Sequence, residues 1–340
     1  MIIKTLSTEE IMKSLKPEDF TNFYHSMNWI KAIEESYKLK SFIIALIDDK
    51  KILNAIPFFL IKSSLFGKKL VSMPYGDYGG FLFSDTKVGW LIKELENLAR
   101  KNDVDYIEIR EPDLKLEKNL ESFGTKSTYL NFILNLDRPL EDIWKSVDKK
   151  VRNSIRKAEK NHVRVIEGNR KDLEEFYRLY LSTMKKLGSP PHSFDFFDNV
   201  FKFCSNNVKL LFAIYEDKKI AASIFFLYNK KIYYWKNVSN HEYLHLRPND
   251  LILYKMIELG QKKKYEALDL GRSRMNTGGF LFKKRWGGKM TELKYYYRLF
   301  RDVKIPDPEE EKYKFLGKLW KILPMFLIKR LGPVIRKNFA

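Results

Sequence analysis

The sequence predicts an α+β fold built from two tandem copies of one structural unit and completed by a C-terminal helical tail. The first observation is a gapless similarity between residues 45–58 and residues 213–226, at an offset of 168 residues. The second is that a helical pattern and then an apolar strand pattern follow each of these segments. The third is composition, since 44% apolar and 15% aromatic residues in a chain of 340 supply enough material for two cores.

The first copy is predicted to start its repeat with a strand, a tight polar turn and a second strand. Apolar residues before and after Asp48 and Asp49 alternate as expected for a hairpin. A helix over residues 91–100 and a strand over 106–109 follow. We therefore place a first domain at residues 1–146.

A basic helix is predicted between the copies, over residues 148–160. Arg152 and Arg156 are four residues apart and share a helical face. A solvated linker helix would carry more balancing acid than Asp148 and Glu159 provide. We therefore expect this helix to contact phosphate groups.

The second copy, placed at residues 147–305, carries a proline-rich loop after a helix that ends at Gly188. Pro190 and Pro191 make this loop rigid, and we expect it to present His192 outward. A histidine there could act as a base or bind phosphate near neutral pH. The alternative is ordinary polar surface.

The next helix of the second copy is predicted over residues 251–262. Asn249 or Asp250 could cap it, and Arg247 just before it makes an anion site at its N-terminus plausible. A plain structural cap is the alternative. His241 and His245 have no third ligand at a suitable spacing, so we expect no metal site. The lone Cys204 excludes an internal disulfide.

The segment from residue 269 to residue 288 combines a strand end, several glycines and a cationic, aromatic ending. Asp269 closes the strand, and Phe282, Lys283 and Arg285 close the segment after a stretch predicted to be a flexible loop. Cations beside an aromatic ring suit an anionic or carbonyl-bearing ligand. The alternative is an ordinary loop that leads into the last strand.

The charge of the chain and its tail indicate an anionic partner. Lys and Arg number 63 against 43 Asp and Glu, a net charge of +20. Such an excess is typical of proteins that bind nucleic acid, anionic lipid or phosphate-rich substrates, or of a lysine-rich surface.

Residues 306–340 are predicted to form a basic amphipathic helical tail that lies on an anionic membrane or packs back on the domain. Without a signal peptide or a membrane span, we expect a cytoplasmic protein, with peripheral membrane association through residues 313–340 left open.

Several motifs in order resemble the FemAB family, a branch of the GNAT acyltransferases. They cover nearly the whole chain, and each is weak alone. The motifs are Asn28-Trp29-Ile30-Lys31, Pro74-Tyr75-Gly76-Asp77-Tyr78-Gly79-Gly80, Val151-Arg152-Asn153-Ser154-Ile155-Arg156, Gly188-Ser189-Pro190-Pro191-His192, Arg247-Pro248-Asn249, Asp269-Leu270-Gly271-Arg272-Ser273 and Phe282-Lys283-Lys284-Arg285-Trp286. The variants with Pro-Pro-His and Asp-Leu-Gly-Arg-Ser are most similar to FemAB-like proteins of exosortase-associated gene clusters and to acetyltransferase-like proteins.

The resemblance implies two tandem GNAT-like domains, each a mixed and mostly antiparallel sheet flanked by helices. It also implies transfer of an amino acid from aminoacyl-tRNA to an amine of a cell-envelope precursor, by a monomer with no bound cofactor. The usual GNAT pyrophosphate loop is missing, since no glycine follows Arg247 before Gly260. The alternatives are an N-acyltransferase that uses acyl-CoA or a carrier protein, and a non-catalytic module that binds RNA or a membrane.

The resemblance also implies roles for individual residues. Lys283 would stabilise the oxyanion of acyl transfer. Asp269 would position substrates or shape the end of a strand, and the base would be His192, Asp77 or the substrate itself. The remaining substrate-binding candidates are Lys31, Tyr75, Asp77, Arg152, Arg156, Arg247, Asn249, Arg272, Phe282 and Arg285.

Overall fold

The computed structural model describes residues 1–16, 19–20, 22–49, 51–63, 67–83, 88–111, 114–305 and 310–338. The chain forms two compact units. Unit 1 comprises Met1–Tyr129, Glu292–Pro308 and Val334–Ala340, and unit 2 comprises Leu130–Thr291 and Glu309–Pro333. The units differ from the predicted domains 1–146, 147–305 and 306–340, because each unit takes a strand from the other half of the chain and the tail is divided between them.

The first part of the chain is a succession of short helices and longer strands. Its elements are β1 (Ile2–Leu6), α1 (Thr8–Ser14), α2 (Met27–Tyr37), β2 (Lys40–Asp48), β3 (Lys51–Ser63), β4 (Gly67–Val71), α3 (Val88–Lys101), β5 (Tyr106–Glu111) and β6 (Gly124–Asn135).

The second part begins with two helices, repeats most of this plan and then adds three helices and one strand. Its elements are α4 (Leu140–Ser146), α5 (Lys149–Lys160), β7 (Arg164–Gly168), α6 (Leu173–Leu187), α7 (Phe194–Phe203), β8 (Val208–Tyr215), β9 (Lys218–Tyr228), β10 (Lys231–Ser239), α8 (Pro248–Lys262), β11 (Ala267–Asp269), α9 (Gly278–Lys284), β12 (Lys289–Leu299), α10 (Glu311–Ile322) and α11 (Met325–Asn338).

Each unit contains one mixed sheet that is mostly antiparallel, which confirms the predicted fold class. The strand order is β1-β2-β3-β4-β5-β12 in unit 1 and β6-β11-β10-β9-β8-β7 in unit 2. The pair β4–β5 and the pair β10–β11 are parallel. The pairs β1–β2, β2–β3, β3–β4, β5–β12, β6–β11, β7–β8, β8–β9 and β9–β10 are antiparallel.

The predicted internal repeat is confirmed and extends further than the hairpins. Both units run strand, two helices, three strands, helix and strand: β1-α1-α2-β2-β3-β4-α3-β5 corresponds to β7-α6-α7-β8-β9-β10-α8-β11. In unit 1, the strand beside β5 is β12, which comes from the end of the repeat in the second part of the chain. In unit 2, the strand beside β11 is β6. The strand that completes each sheet therefore comes from outside that unit's repeat.

The core of unit 2 is formed by apolar residues that α8 and α5 bury against the sheet. Phe225, Ile232, Leu253 and Trp286 are 8% exposed or less within one cluster. Gly260 allows α8 to approach β10 closely, because a Cβ atom at this position would lie 2.5 Å from Cδ1 of Ile232. Trp286 is fully buried and packs in this core.

The two parallel strands of unit 2 separate near their carboxyl ends. Their register ends at Tyr233↔Asp269, after pairs at Lys231↔Ala267 and Ile232↔Leu268. Beyond it, β10 bulges between Tyr234 and Lys236 and continues along β9 to Ser239, while the chain after β11 follows β6. The separated strand ends, the start of α8 and residues 270–285 border a common space. We call this space the unit-2 opening.

Among the described residues, none of the helices has the length and apolar character needed to span a lipid bilayer.

Candidate active site

Asp269 shapes the turn at one side of the unit-2 opening. Its side chain is 2% exposed. Oδ1 accepts a hydrogen bond from the Gly271 amide at 2.8 Å, and Oδ2 accepts one from Nδ2 of Asn131 at 3.3 Å. Gly271 has a φ of 72°, which favours glycine. These contacts favour the structural alternative for Asp269, and a direct role in transfer stays a prediction.

Lys283 is fixed beside this turn. Its ammonium donates hydrogen bonds to the carbonyls of Gly271 at 3.0 Å and Arg272 at 2.8 Å, and the side chain is half-buried. The interactions hold a cation at the edge of the opening, where it could meet a developing oxyanion. Arg272 takes part in this arrangement through its backbone carbonyl, which accepts from the Lys283 ammonium.

The segment that carries Lys283 is a helix, so the predicted flexible loop is wrong for residues 278–284. Thr277 caps α9, because its Oγ1 accepts from the Phe280 amide at 3.2 Å. Phe280 is 7% exposed and anchors the helix in the core. A capping threonine and one buried phenylalanine therefore outweigh the glycines at the helix start.

Phe282 and Arg285 lie at the end of α9. The ring of Phe282 is half-buried, with its centroid 6.5 Å from that of Tyr234 and 6.3 Å from that of Trp286. Arg285 is exposed, and its carbonyl accepts from the Asp148 amide at 3.0 Å. The short helix thus links the core to the start of α5.

The start of α8 lies near the end of α9, since the Arg285 guanidinium acts on the Asp250 carboxyl. Arg247 is exposed, has a φ of 61° and occupies the N-cap position, where it provides no side-chain cap. The prediction that Asn249 or Asp250 caps this helix is wrong, since Pro248 begins the helix ahead of both. Nδ2 of Asn249 instead donates to Oγ of Ser239 at 3.3 Å, and its buried Oδ1 meets no donor among the described residues.

Asp250, in the first turn of α8, was not among the predicted site residues. Burial raises the pKa of its carboxyl from 3.8 to about 6, although Arg247 and Arg285 lower it. The carboxyl also contributes to the raised pKa of the buried Tyr234 hydroxyl, after burial itself. Asp250 is thus a half-buried acid of raised pKa in the first turn of α8. An acidic residue directly after an Arg-Pro-Asn start was the available sequence signal.

Arg152 and Arg156 are engaged within unit 2. Nη1 of Arg152 donates to the carbonyls of Trp144, Lys145 and Val147 at 3.3, 2.9 and 2.6 Å, and so binds the C-terminal end of α4. The Arg156 guanidinium lies 5.5 Å from the centroid of the Trp144 ring. These contacts favour a structural role, and the predicted phosphate contact stays a prediction.

His192 is buried, so the expectation that its loop presents it outward is wrong. The side chain is 0% exposed, and its ring stacks on Phe196 with centroids 4.4 Å apart. Its amide donates to the Tyr180 hydroxyl at 2.9 Å. The physical cause is the aromatic cluster of α6 and α7, because Tyr180, Phe196 and Phe197 surround the ring. α11 also packs on the loop, since a Cβ at Gly332 would lie 2.3 Å from Cδ of Pro191.

We expect His192→Ala to lower the free energy of unfolding by about 2–3 kcal/mol, because it empties a site between packed aromatic rings. His245→Ala, at an exposed position, should change it by less than about 0.5 kcal/mol. Urea unfolding measures both. A His192→Ala protein of unchanged stability that has lost transfer activity would contradict the structural role and restore His192 as a base.

Lys31, Tyr75 and Asp77 lie in unit 1. Lys31 is half-buried on α2. Tyr75 is 7% exposed, stacks on Tyr37 at 4.4 Å between centroids and donates to the Lys337 carbonyl at 3.3 Å. The backbone carbonyl of Asp77 accepts from the Tyr295 hydroxyl at 2.7 Å, and its side chain is half-buried.

The corresponding parallel pair of unit 1 also diverges, but a segment of its own chain fills the space. The β4–β5 register ends at Val71↔Glu108. Beyond it, Nη1 of Arg110 donates to the Gly76 carbonyl at 3.1 Å, and the Gly79 amide donates to the Arg110 carbonyl at 3.0 Å. Residues 72–81 therefore occupy in unit 1 the place that corresponds to the unit-2 opening.

The structure gathers seven predicted residues around the unit-2 opening: Arg247, Asn249, Asp269, Arg272, Phe282, Lys283 and Arg285. The described residues contain no group of three or more His, Cys, Asp or Glu side chains that could hold a metal ion.

Residues 145–284 match the family model described as an acetyltransferase (GNAT) domain. None of the curated proteins matches the chain. The structure is similar to that of FemX, with a TM-score of 0.69 at 14% identity, covering 87% of this chain and 97% of that chain.

Two further solved structures share the fold at lower similarity. The C-terminal domain of a putative lysylphosphatidylglycerol synthetase from Agrobacterium fabrum has a TM-score of 0.58 at 10% identity, covering 85% of this chain and 90% of that chain. A tandem GNAT protein from the clavulanic acid biosynthesis pathway has a TM-score of 0.58 at 8% identity, covering 89% of this chain and 99% of that chain. At these identities, the similarities establish the fold alone. Together with the family match, they identify a chain of tandem GNAT-like fold that contains a GNAT-type acyltransferase domain in residues 145–284.

Proposed function

We propose that the protein transfers an aminoacyl group from aminoacyl-tRNA to an amine of an anionic cell-envelope precursor. The observation that carries the proposal is the unit-2 opening, where the Lys283 ammonium is bound to the Gly271 and Arg272 carbonyls and the half-buried Asp250 lies in the first turn of α8, within electrostatic reach of Arg285. A fixed cation can stabilise an oxyanion, and a carboxyl of raised pKa can accept a proton from an attacking amine.

In the proposed reaction, the acceptor amine attacks the ester carbonyl of the donor. The Lys283 ammonium stabilises the negative charge that develops on the carbonyl oxygen. Asp250 accepts the proton that the amine loses and returns it to the leaving ribose oxygen. A C–N bond forms, the C–O ester bond breaks, and the proton ends on the tRNA hydroxyl.

The start of α8 supports an aminoacyl ester as donor over acyl-CoA. Helix N-termini bind phosphate through free backbone N–H groups and a favourable dipole. Pro248 removes one of these N–H groups, and Asp250 places negative charge in the first turn when ionised. Both features oppose binding of the CoA diphosphate at this end.

The acceptor and the place of action are inferred from charge and from the structural neighbours. The net charge of +20 suits an RNA-borne donor and an acceptor that carries phosphate. Two of the structural neighbours are FemX and the C-terminal domain of a putative lysylphosphatidylglycerol synthetase. We therefore infer a lipid-linked or nucleotide-linked acceptor and a monomer that works peripherally on the cytoplasmic face of the membrane.

We expect radiolabelled amino acids to move from bulk charged tRNA to muropeptide precursors, and acetyl-CoA to support transfer at a rate at least about 100-fold lower. Thin-layer separation of the products measures the first reaction, and release of free CoA thiol measures the second. Uncharged tRNA with free amino acid is the control. Equal or faster transfer from acetyl-CoA would refute the proposed donor.

One second candidate is favoured by a specific observation. The match of residues 145–284 to an acetyltransferase (GNAT) domain supports an N-acyltransferase that uses acyl-CoA or an acyl carrier protein. The same Lys283 and Asp250 could serve a thioester donor. The donor comparison above separates the two candidates.

A further inference from the structure

The first helix of the tail, α10, has one side packed on unit 2 and another exposed. Trp320 is 8% exposed. Gly317 lies against the end of α6, since a Cβ at Gly188 would be 2.5 Å from the Gly317 carbonyl oxygen. Packing on the domain, one of the two predicted alternatives, therefore holds for this side of the helix.

The opposite side of α10 is apolar and exposed. Phe315, Leu319 and Ile322 follow each other at spacings of four and three residues and are 60%, 42% and 75% exposed. Leu316 adds a further apolar side chain that is 55% exposed. Exposed apolar groups at helical spacing form a continuous face rather than scattered surface residues.

The start of α11 also exposes an apolar side chain. Phe326 is 69% exposed, while Ile328 and Gly332 of the same helix are buried. We call Phe315, Leu316, Leu319, Ile322 and Phe326 the tail face.

Basic side chains border the tail face. Lys318 and Lys321 are exposed on α10, and Lys329 and Arg330 are exposed on α11. The sequence contains no acidic residue after Glu311. Apolar side chains bordered by lysine and arginine match the two layers of an anionic membrane surface, which are acyl chains below and phosphates above.

We propose that the tail face docks unit 2 on an anionic phospholipid bilayer. The apolar side chains enter the interface between headgroups and acyl chains, and the basic residues contact lipid phosphates. The helices lie in the membrane plane and do not cross it. This inference is independent of the transfer reaction, because it concerns a surface that carries none of the residues of the unit-2 opening.

Sedimentation with vesicles tests the inference on the full chain. We expect binding to vesicles of phosphatidylcholine with phosphatidylglycerol to exceed binding to pure phosphatidylcholine by about tenfold or more at low salt. Raising the salt concentration should reduce this difference. Equal binding to both vesicle types, or binding to neither, would overturn the proposal.

Two variants separate the tail face from general surface adhesion. Replacing both Phe315 and Phe326 by serine should lower the partition coefficient by roughly 30-fold or more. Trp90→Ser, at a residue of α3 that is 60% exposed, should leave it unchanged. Circular dichroism should show both variants folded, as expected for changes at exposed side chains.

Light scattering distinguishes a lipid partner from a second copy of the chain. A monomer that binds vesicles through the tail face supports the proposal. A dimer that does not bind vesicles and that the Phe315→Ser, Phe326→Ser variant dissociates would overturn it.

Discussion

Lys283→Met is expected to lower kcat for acyl transfer by about 10²-fold or more, because it removes the positive charge beside the developing oxyanion while keeping the volume of the side chain. KM for the acceptor should change little, since the ammonium is proposed to act on the transition state rather than on bound acceptor. Steady-state transfer of labelled amino acid measures both constants.

The matched control is Lys284→Met in the same helix. Lys284 is exposed, and its ammonium lies 5.8 Å from the centroid of the Phe280 ring. This change should alter kcat by less than about twofold. Thermal melting of both variants separates catalysis from stability, since Lys283 also binds the carbonyls of Gly271 and Arg272. A folded Lys283→Met protein with unchanged kcat would eliminate the oxyanion role.

Asp250→Asn is expected to lower kcat/KM by roughly 10²-fold above pH 7, because an amide cannot accept the proton of the attacking amine. In the wild-type protein, the carboxyl is ionised above its pKa of about 6. The value of kcat/KM should therefore rise with pH through about 6, as the Asp250 carboxyl ionises. It should then level off when no second group changes its ionisation in this range. The variant should lack this rise.

The stability of the Asp250→Asn protein provides an independent control. A carboxyl whose folded pKa is raised binds its proton more tightly in the folded state, so the folded state loses stability as pH increases from about 4 to about 6. At pH 8, Asp250→Asn should therefore melt at the wild-type temperature or above it. If the variant keeps the rise in rate near pH 6, another group is the base.

The repeat and the fold class could be predicted because they rest on patterns that local sequence preserves. Each hairpin, around Asp48 and around Glu216, is encoded by two apolar runs separated by polar residues. Polar residues of both turns have a positive φ. The helix and strand that follow have strong periodicity. The exchange of β6 and β12 could not be predicted, because the pairing of distant strands depends on contacts that periodicity does not encode.

The candidate site was only partly predictable. Lys283 was found through a family resemblance, and the structure adds the two carbonyls that fix it. The outward position predicted for His192 is wrong because its burial depends on how α6 and α7 pack Tyr180, Phe196 and Phe197 around the ring, which the proline-rich loop itself does not reveal. Asp250 was missed because its pKa depends on burial by tertiary structure.

The two copies differ at the place where the parallel strands separate. In unit 1, residues 72–81 are bound to the end of β5. Arg110 donates to the Gly76 carbonyl, and Oε2 of Glu111 accepts from the Phe81 amide at 2.9 Å. In unit 2, the corresponding space is bordered by Lys283 and Asp250. This difference supports transfer chemistry in unit 2.

The most direct test of transfer chemistry in unit 2 is amide hydrogen exchange with a stable amide analogue of aminoacyl-adenosine. We expect the analogue to slow exchange at residues 247–251 and 270–285, which surround the unit-2 opening, and to leave residues 72–81 unchanged. Slower exchange confined to residues 72–81, or unchanged exchange around the opening at saturating analogue, would contradict the proposed site.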